Sequence, residues 1–257
     1  QGKHPVYVEE CLIKSIEDLP PKSDLLGISK FLIKQANKQW LKEKGCVNYE
    51  TYATFVEDFG KSHPVKFEEH YVSAEEFAQM KEMCKDNDIT INDLLMADMY
   101  IKNGIEKIII AVDVRDKISC YQKGAYGNYA TAMGIVCKTK TMDLVKKAKE
   151  VHKLVKKSLC NNRNLMLVLA CYLNIEPTLL DAVAISAMGG YESKAGAFVG
   201  GGMFGFSNPK SYSITNLGKI DCPNIVSAMF IPPASPAAKL TLGVVTVNNR
   251  MRLCTSS

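Results

Sequence analysis

The sequence predicts an α/β (α+β) fold, a mixed β-sheet flanked by helices, and three observations carry that prediction. Residues 107–114, KIIIAVDV, are a near-continuous β-branched run, the pattern of a strand covered on both faces. Residues 28–45, 73–87, 89–104 and 141–159 repeat apolar side chains at helical spacing. Beyond residue 210 come four strand-like runs, so a helix-rich first part gives way to a strand-rich end.

Each element has its own justification. The opening HPVYVEECLIKSIEDLPPKSDLLG is broken by Pro20 and Pro21 and reads as an irregular lead-in. A helix over 28–45 stops at Gly45, and a shorter one covers 48–60. PVKFEEHYVS (64–73) alternates and is rich in strand-forming residues. Ser73 and Glu76 make a capping box for the helix over 73–87. Thr90 or Asn92 starts the next helix, and Gly104 ends it. After the 107–114 strand, YATAMGIVCKT (129–139) is a second strand. TMDLVKKAKEVHKLVKKSL is an amphipathic helix with Leu144, Ala148, Val151 and Val155 along one side. Helices follow over 164–173 and 178–188, then a glycine-rich passage over 189–205. The four late strands are expected at 211–218, 224–231, 239–248 and 250–256. No internal repeat is visible.

An apolar share of 47% over 257 residues is ample for a packed core, yet no apolar run approaches the roughly 20 residues of a membrane span. The net charge of +5 falls short of a dedicated nucleic-acid binder, and aromatic and basic residues do not interleave as a single-strand-binding groove requires. The N-terminal QGKHPVYVEECL lacks the regions of a signal peptide. Nine cysteines, an odd number with no CxxC pair, fit reduced thiols in a core. A soluble cytoplasmic protein without a disulfide framework or zinc site is therefore expected.

Few stretches suggest chemistry. Gly200, Gly202 and Gly205 spell G-x-G-x-x-G, but Pro209 and a strand follow where a dinucleotide site needs a helix, so a mobile loop or a close backbone approach is the better reading. The lysine-rich helix over 144–159 suits a solvated face, a membrane surface, an acidic partner, or the phosphates of a carrier or cofactor. His63 and His70 flank PVKFEE without metal-ligand spacing and read as surface histidines, and His152 sits among lysines as a solvent-facing residue. No G-x-S-x-G elbow occurs. Asp113, Arg115 and Asp116 end the buried 107–114 run, either as a structural ion pair or as an arginine orienting a carboxylate in a cleft. Gly127 with Asn128, and Asn216 with Leu217 and Gly218, read as turns.

The order DITINDLLMADMYI, AVDVRDKI, GNYATAMGI, YSITNLGKID, LTLGVVTVNNRMRLCTS resembles the second half of the chloramphenicol acetyltransferase-like superfamily, which includes condensation domains and alcohol acetyltransferase-like proteins. The resemblance runs from about residue 65 to the end and more loosely through PPKSDLLG and KQANKQWLKEK. It implies one lobe of a CoA-dependent acyltransferase-like fold, with residues 1–64 as a helical lead-in from a missing N-terminal lobe and 65–257 as the C-terminal lobe. In that family two lobes face each other across a tunnel. A histidine in an HHxxxDG motif of the first lobe deprotonates an alcohol or amine for attack on a thioester. No HHxxxDG occurs in these 257 residues.

Carried over by the resemblance, Arg115 pairs with the aspartate of that absent motif, or in its absence with solvent or Asp116, and Asp113 supports the strand end. Asn128 lies on the strand bordering the tunnel, and Asn216 with Gly218 forms the wall near the thioester. None is a catalytic acid or base. The expected cosubstrate is acyl-CoA or an acyl-carrier thioester, with no tightly bound cofactor, and the chain alone is expected to be inactive. The alternatives are a non-enzymatic module that binds an acyl carrier or phosphopantetheine arm, and a lobe that self-associates.

Overall fold

The computed structural model describes residues 7–206, 211–234 and 237–257; Pro209, singled out above, lies outside them. Six strands form one mixed sheet: β1 (Phe67–Val72), β2 (Lys107–Asp113), β3 (Ala130–Val136), β4 (Ser211–Ile220), β5 (Ala238–Val247) and β6 (Arg250–Ser256), in the order β1-β6-β5-β4-β2-β3. β2, β4 and β5 run parallel in the centre, joined by long connections as parallel neighbours require. β3, β6 and β1 pair antiparallel outside them. The β5–β6 hairpin turns on Asn248 and Asn249, whose φ values of 47° and 64° match the strand twist as two-residue hairpin turns do.

Helices α1 (Gly27–Glu43), α2 (Tyr49–Ser62), α3 (Ala74–Asp86), α4 (Ile91–Asn103), α5 (Leu144–Leu159), α6 (Asn162–Leu165), α7 (Leu167–Asn174), α8 (Pro177–Ala187) and α9 (Lys194–Phe198) flank the sheet, α9 running on into a π-helical turn at Val199–Met203. Ser73 and Glu76 form the expected capping box, and Thr90, not Asn92, caps α4 through Asp93. The helix expected over 164–173 is broken at Met166, which is fully buried between α6 and α7. No single helix among the described residues is long and apolar enough to cross a membrane.

One face of the sheet carries the core. Ile108, Ile110, Met133, Ile135, Tyr212, Ile214, Leu242 and Val244 are buried there together with side chains of the helices. The lead-in belongs to the same core, for Leu19, Leu25, Ile33, Ala36 and Trp40 join it. Trp40 Nε1 donates to Thr178 Oγ1 at 2.8 Å, tying α1 to α8. Glu43, at the end of α1, accepts from Ser193 Oγ at 2.6 Å and from the Ala195 amide at 3.3 Å, at the start of α9. Burial raises the Glu43 carboxyl, but hydrogen bonds from Ser193, Gln39 and the Ala195 and Lys194 amides outweigh it and hold the group below the usual carboxylate range.

Three expectations are corrected. β2 is covered on one face only: Ile109 is half-buried and Ala111 exposed opposite the buried Ile108 and Ile110. Cover for the second face reaches β5 instead, and residues 224–231 supply it as an irregular strap rather than a strand. Pro223, Pro232 and Pro233 bracket that segment and deprive it of ladder donors. Asn248 clips it down, donating from Nδ2 to the Cys222 and Ile225 carbonyls at 2.8 and 2.7 Å. Gly243 receives it, because a Cβ there would stand 2.8 Å from the Phe230 carbonyl oxygen. Of the two readings of the G-x-G-x-x-G passage, the mobile loop gives way to the close backbone approach: Gly200 and Gly202 lie in the π-helical turn. Gly200 packs so closely on α8 that a Cβ would meet the Val183 carbonyl oxygen at 2.7 Å.

Candidate functional site

Parallel pairing of β2, β4 and β5 brings their carboxyl ends to one edge of the sheet, and antiparallel β3 begins at the same edge, Ala130 lying opposite Asp113. All five candidate residues gather along this edge. In open α/β sheets the crevice outside the carboxyl ends of the strands is where ligands bind.

The edge begins with Asp113, the last residue of β2. Val114 follows, fully buried, its amide donating to the Tyr129 carbonyl at 2.9 Å, so the chain turns sharply through Arg115–Lys117. Asp113 Oδ1 accepts from the Arg115 amide at 3.0 Å, and Arg115 Nε donates to the two carboxylate oxygens at 2.9 and 2.8 Å. The guanidinium hydrogen bond holds the Asp113 carboxyl below its usual range, and the same pairing raises Arg115. Arg115 therefore has its carboxylate within this chain, and it is Asp113, two residues back, rather than Asp116. Both side chains are about half exposed, so the pair adds little stability and is free to exchange partners.

Asn128 stands in the loop two residues before β3, not on the strand, and its Oδ1 accepts from the Ala130 amide at 3.1 Å. The loop is pinned by the buried Tyr129, whose hydroxyl accepts from the Cys11 amide at 3.1 Å and whose ring meets Tyr121 edge-on. Asn216 and Gly218 are not a turn between elements but a bulge inside β4. Asn216 Oδ1 accepts from the Gly218 amide at 2.8 Å, Gly218 has φ +77°, and the β4–β5 register shifts between Asn216 and Lys219. The bulge leaves Asn216 to Ile220 exposed at the edge.

A groove of about 540 Å³, which the sequence does not announce, opens beside the Asp113–Arg115 turn. The lead-in at Ile16–Asp24 and the turn at Asp116–Ser119 line it, and the Ser119 amide, donating to the Asp18 carbonyl at 2.9 Å, joins its two walls. The edge offers a charge pair, two amide side chains and exposed backbone. Such groups are of the kind that hold a polar or anionic ligand by hydrogen bonds. Among the described residues no cluster of His, Cys, Asp or Glu is arranged to hold a metal ion, and the nine cysteines are free thiols.

The histidines stand apart from this edge. His63 stacks on Phe59 at the end of α2, and His70 lies exposed on the edge strand β1. His152 is not in solvent: its Nδ1 lies 2.8 Å from Asp93 Oδ2, with the carboxylate only 3% exposed, and its Nε2 is buried without a partner. The Asp93 carboxylate also accepts from the Thr90 amide and hydroxyl at 2.8 and 2.7 Å, so one buried group caps α4 and ties it to α5. Thr90-x-x-Asp93 is a readable cap; the histidine 59 residues away carries no local signal.

No family model matches the chain, and no curated protein sequence does. Among solved structures it is similar to the TRI3 trichothecene 15-O-acetyltransferase from Fusarium sporotrichioides, at 13% identity and a TM-score of 0.50, over 82% of this chain and 48% of that one. It is similar also to the epimerization domain from the third module of tyrocidine synthetase B (11% identity, TM-score 0.48, 93% of this chain, 54% of that one). A third likeness is to the first condensation domain of the CDA synthetase (9%, 0.43, 94% and 56%). The chain spans about half the length of these proteins, and at 13% identity the likeness to the acetyltransferase is one of fold. The mixed six-stranded sheet with its flanking helices is thus similar in fold to about half of the TRI3 acetyltransferase chain.

Proposed function

We propose that this chain is the second-lobe part of a thioester-dependent acyltransferase or condensation-type enzyme, acting in the cytoplasm, that moves an acyl group from acyl-CoA or an acyl carrier to an alcohol or amine. The observation that carries the reading is the gathering of Asp113, Arg115, Asn128, Asn216 and Gly218 at the carboxyl edge of a sheet with this fold. The base comes from an HHxxxDG motif on a further lobe, to which residues 1–64 lead, with α1 packed on the core of this one. That histidine takes the proton of the hydroxyl or amine, the freed nucleophile attacks the thioester carbonyl, and the carbon–sulfur bond breaks as the histidine returns the proton to the departing thiolate. Arg115 gives up Asp113 for the aspartate of the motif and holds it in place. The Asn216–Gly218 bulge lines the approach of the thioester.

The test is release of free thiol from acetyl-CoA in the presence of a small alcohol or amine, by the chain alone and by the chain mixed with a first-lobe polypeptide carrying HHxxxDG. The chain alone releases thiol at the uncatalysed rate, and the mixture releases it faster with acylated product formed. Full activity from the chain alone overturns the reading, as does a mixture no faster than either part.

A further inference from the structure

The positive charge of this chain is gathered in one place. Between residues 138 and 157 stand eight lysines against only Asp143 and Glu150, an excess larger than the net charge of +5 for the whole chain. The rest of the chain is therefore nearly balanced. Lys147 is spent inside, its ammonium donating to the Thr139 carbonyl oxygen beneath α5 and lying 5.8 Å from the Tyr100 ring. Lys146, Lys149, Lys153, Lys156 and Lys157 are all exposed. Their spacing puts them on one side of α5, a straight stripe of about 16 Å at 1.5 Å per residue. Among the described residues, Lys146 and Lys153 of these five have acids within reach, Asp143 at 3.9 Å and Glu150 at 3.3 Å. Among the described residues Lys149, Lys156 and Lys157 make no ion pair.

We propose that this stripe is a docking surface for an acidic α-helix of a partner protein. It stands independently of the acyl-transfer reading, since α5 contributes none of the residues at the sheet edge. The apolar side of α5 is spent against α4, with Ala148 and Val151 fully buried, so no free apolar face remains to enter a lipid surface. The stripe is made of lysines alone, without the arginines and aromatic platforms by which nucleic acid is gripped and stacked. A second helix with carboxylates at the same 3–4 residue spacing presents its charges along a matching line, which stays alongside the stripe when the two cross at about 20°. Such contact steers encounter and sets partner choice more than it supplies affinity, and salt weakens it.

The experiment uses the full chain and a fluorescein-labelled helical peptide of about 20 residues with glutamates confined to one face. A second peptide has the same composition with the glutamates spread around the helix. The one-face peptide binds at least about fivefold tighter than the spread one, and loses about tenfold between low and high salt. The variant Lys149→Glu/Lys153→Glu/Lys156→Glu, its folding checked by an unchanged denaturation midpoint, loses that binding and gains binding of a one-face lysine peptide. Equal binding of the two acidic peptides, retention in the triple variant, or tighter binding of duplex DNA or of phosphatidylserine vesicles overturns the proposal.

Discussion

Trp40→Ala lowers the free energy of unfolding by about 4 kcal/mol, the expected cost of emptying a large buried aromatic site. Trp40 is 1% exposed, lies near Tyr191 at a ring separation of 6.1 Å, and bonds through Nε1 to Thr178 on α8. Truncation removes the packing and leaves the space open, because α7, α8 and α9 are each held by further contacts to α1, such as Asn37 bonding both the Asn174 carbonyl and the Glu176 amide. Urea denaturation followed by circular dichroism measures the change. Trp40→Phe keeps most of the volume but leaves Thr178 without its donor, and costs less than half as much. A midpoint unmoved by Trp40→Ala would show that α1 rests on the rest of the fold without forming part of its core.

Asp93→Ala costs about 3 kcal/mol, because one buried carboxylate serves three donors. Its removal takes away one half of the α4 capping box, leaving the Thr90 hydroxyl on the residue 93 amide, and strands the Thr90 amide and the His152 ring close to the cluster of Cys84, Leu94 and Ala148. Asp93→Asn keeps one acceptor oxygen and loses roughly half as much, and His152→Ala loses less again since the cap survives. In a double-mutant cycle the His152 and Asp93 effects are non-additive, as for two groups sharing one hydrogen bond. Additive effects would mean that the 2.8 Å contact contributes nothing.

Much of the fold is legible because its signals are local. Ser73 with Glu76 announces a helix start whose geometry depends on four residues, Thr90 is one of the two cap candidates read for α4, and Gly104 at φ +60° ends α4 as the sequence reads. The motif order from DITINDLL to RMRLCTS carried the fold as a whole, although no single motif did. What failed depended on distant partners. NIVSAMFI has strand composition, but prolines on both sides and the Asn248 clip from the next hairpin hold it as a strap. KIIIAVDV reads as covered twice, yet the cover on its second side passes over Gly243 of β5.

The sequence offers candidate residues but not their geometry. The five candidates do lie along one edge, which follows from parallel pairing that no local pattern encodes. Arg115 had three carboxylates to choose from in prospect, and only the backbone turn at Val114 selects Asp113. His152 looked solvated because its sequence neighbours are lysines, while the helix turns it inward toward α4.

The central claim is that the carboxyl edge of the sheet is one wall of an acyl-transfer site. Its most direct test is the rate of thiol release from acetyl-CoA by this chain joined to an HHxxxDG lobe, with Arg115→Ala compared against Lys102→Ala, an exposed change away from that edge. The claim predicts that Arg115→Ala lowers kcat at least about tenfold with KM for the thioester little changed, the mark of a lost positioning contact, while Lys102→Ala matches the parent. Equal kcat in the two variants would contradict it.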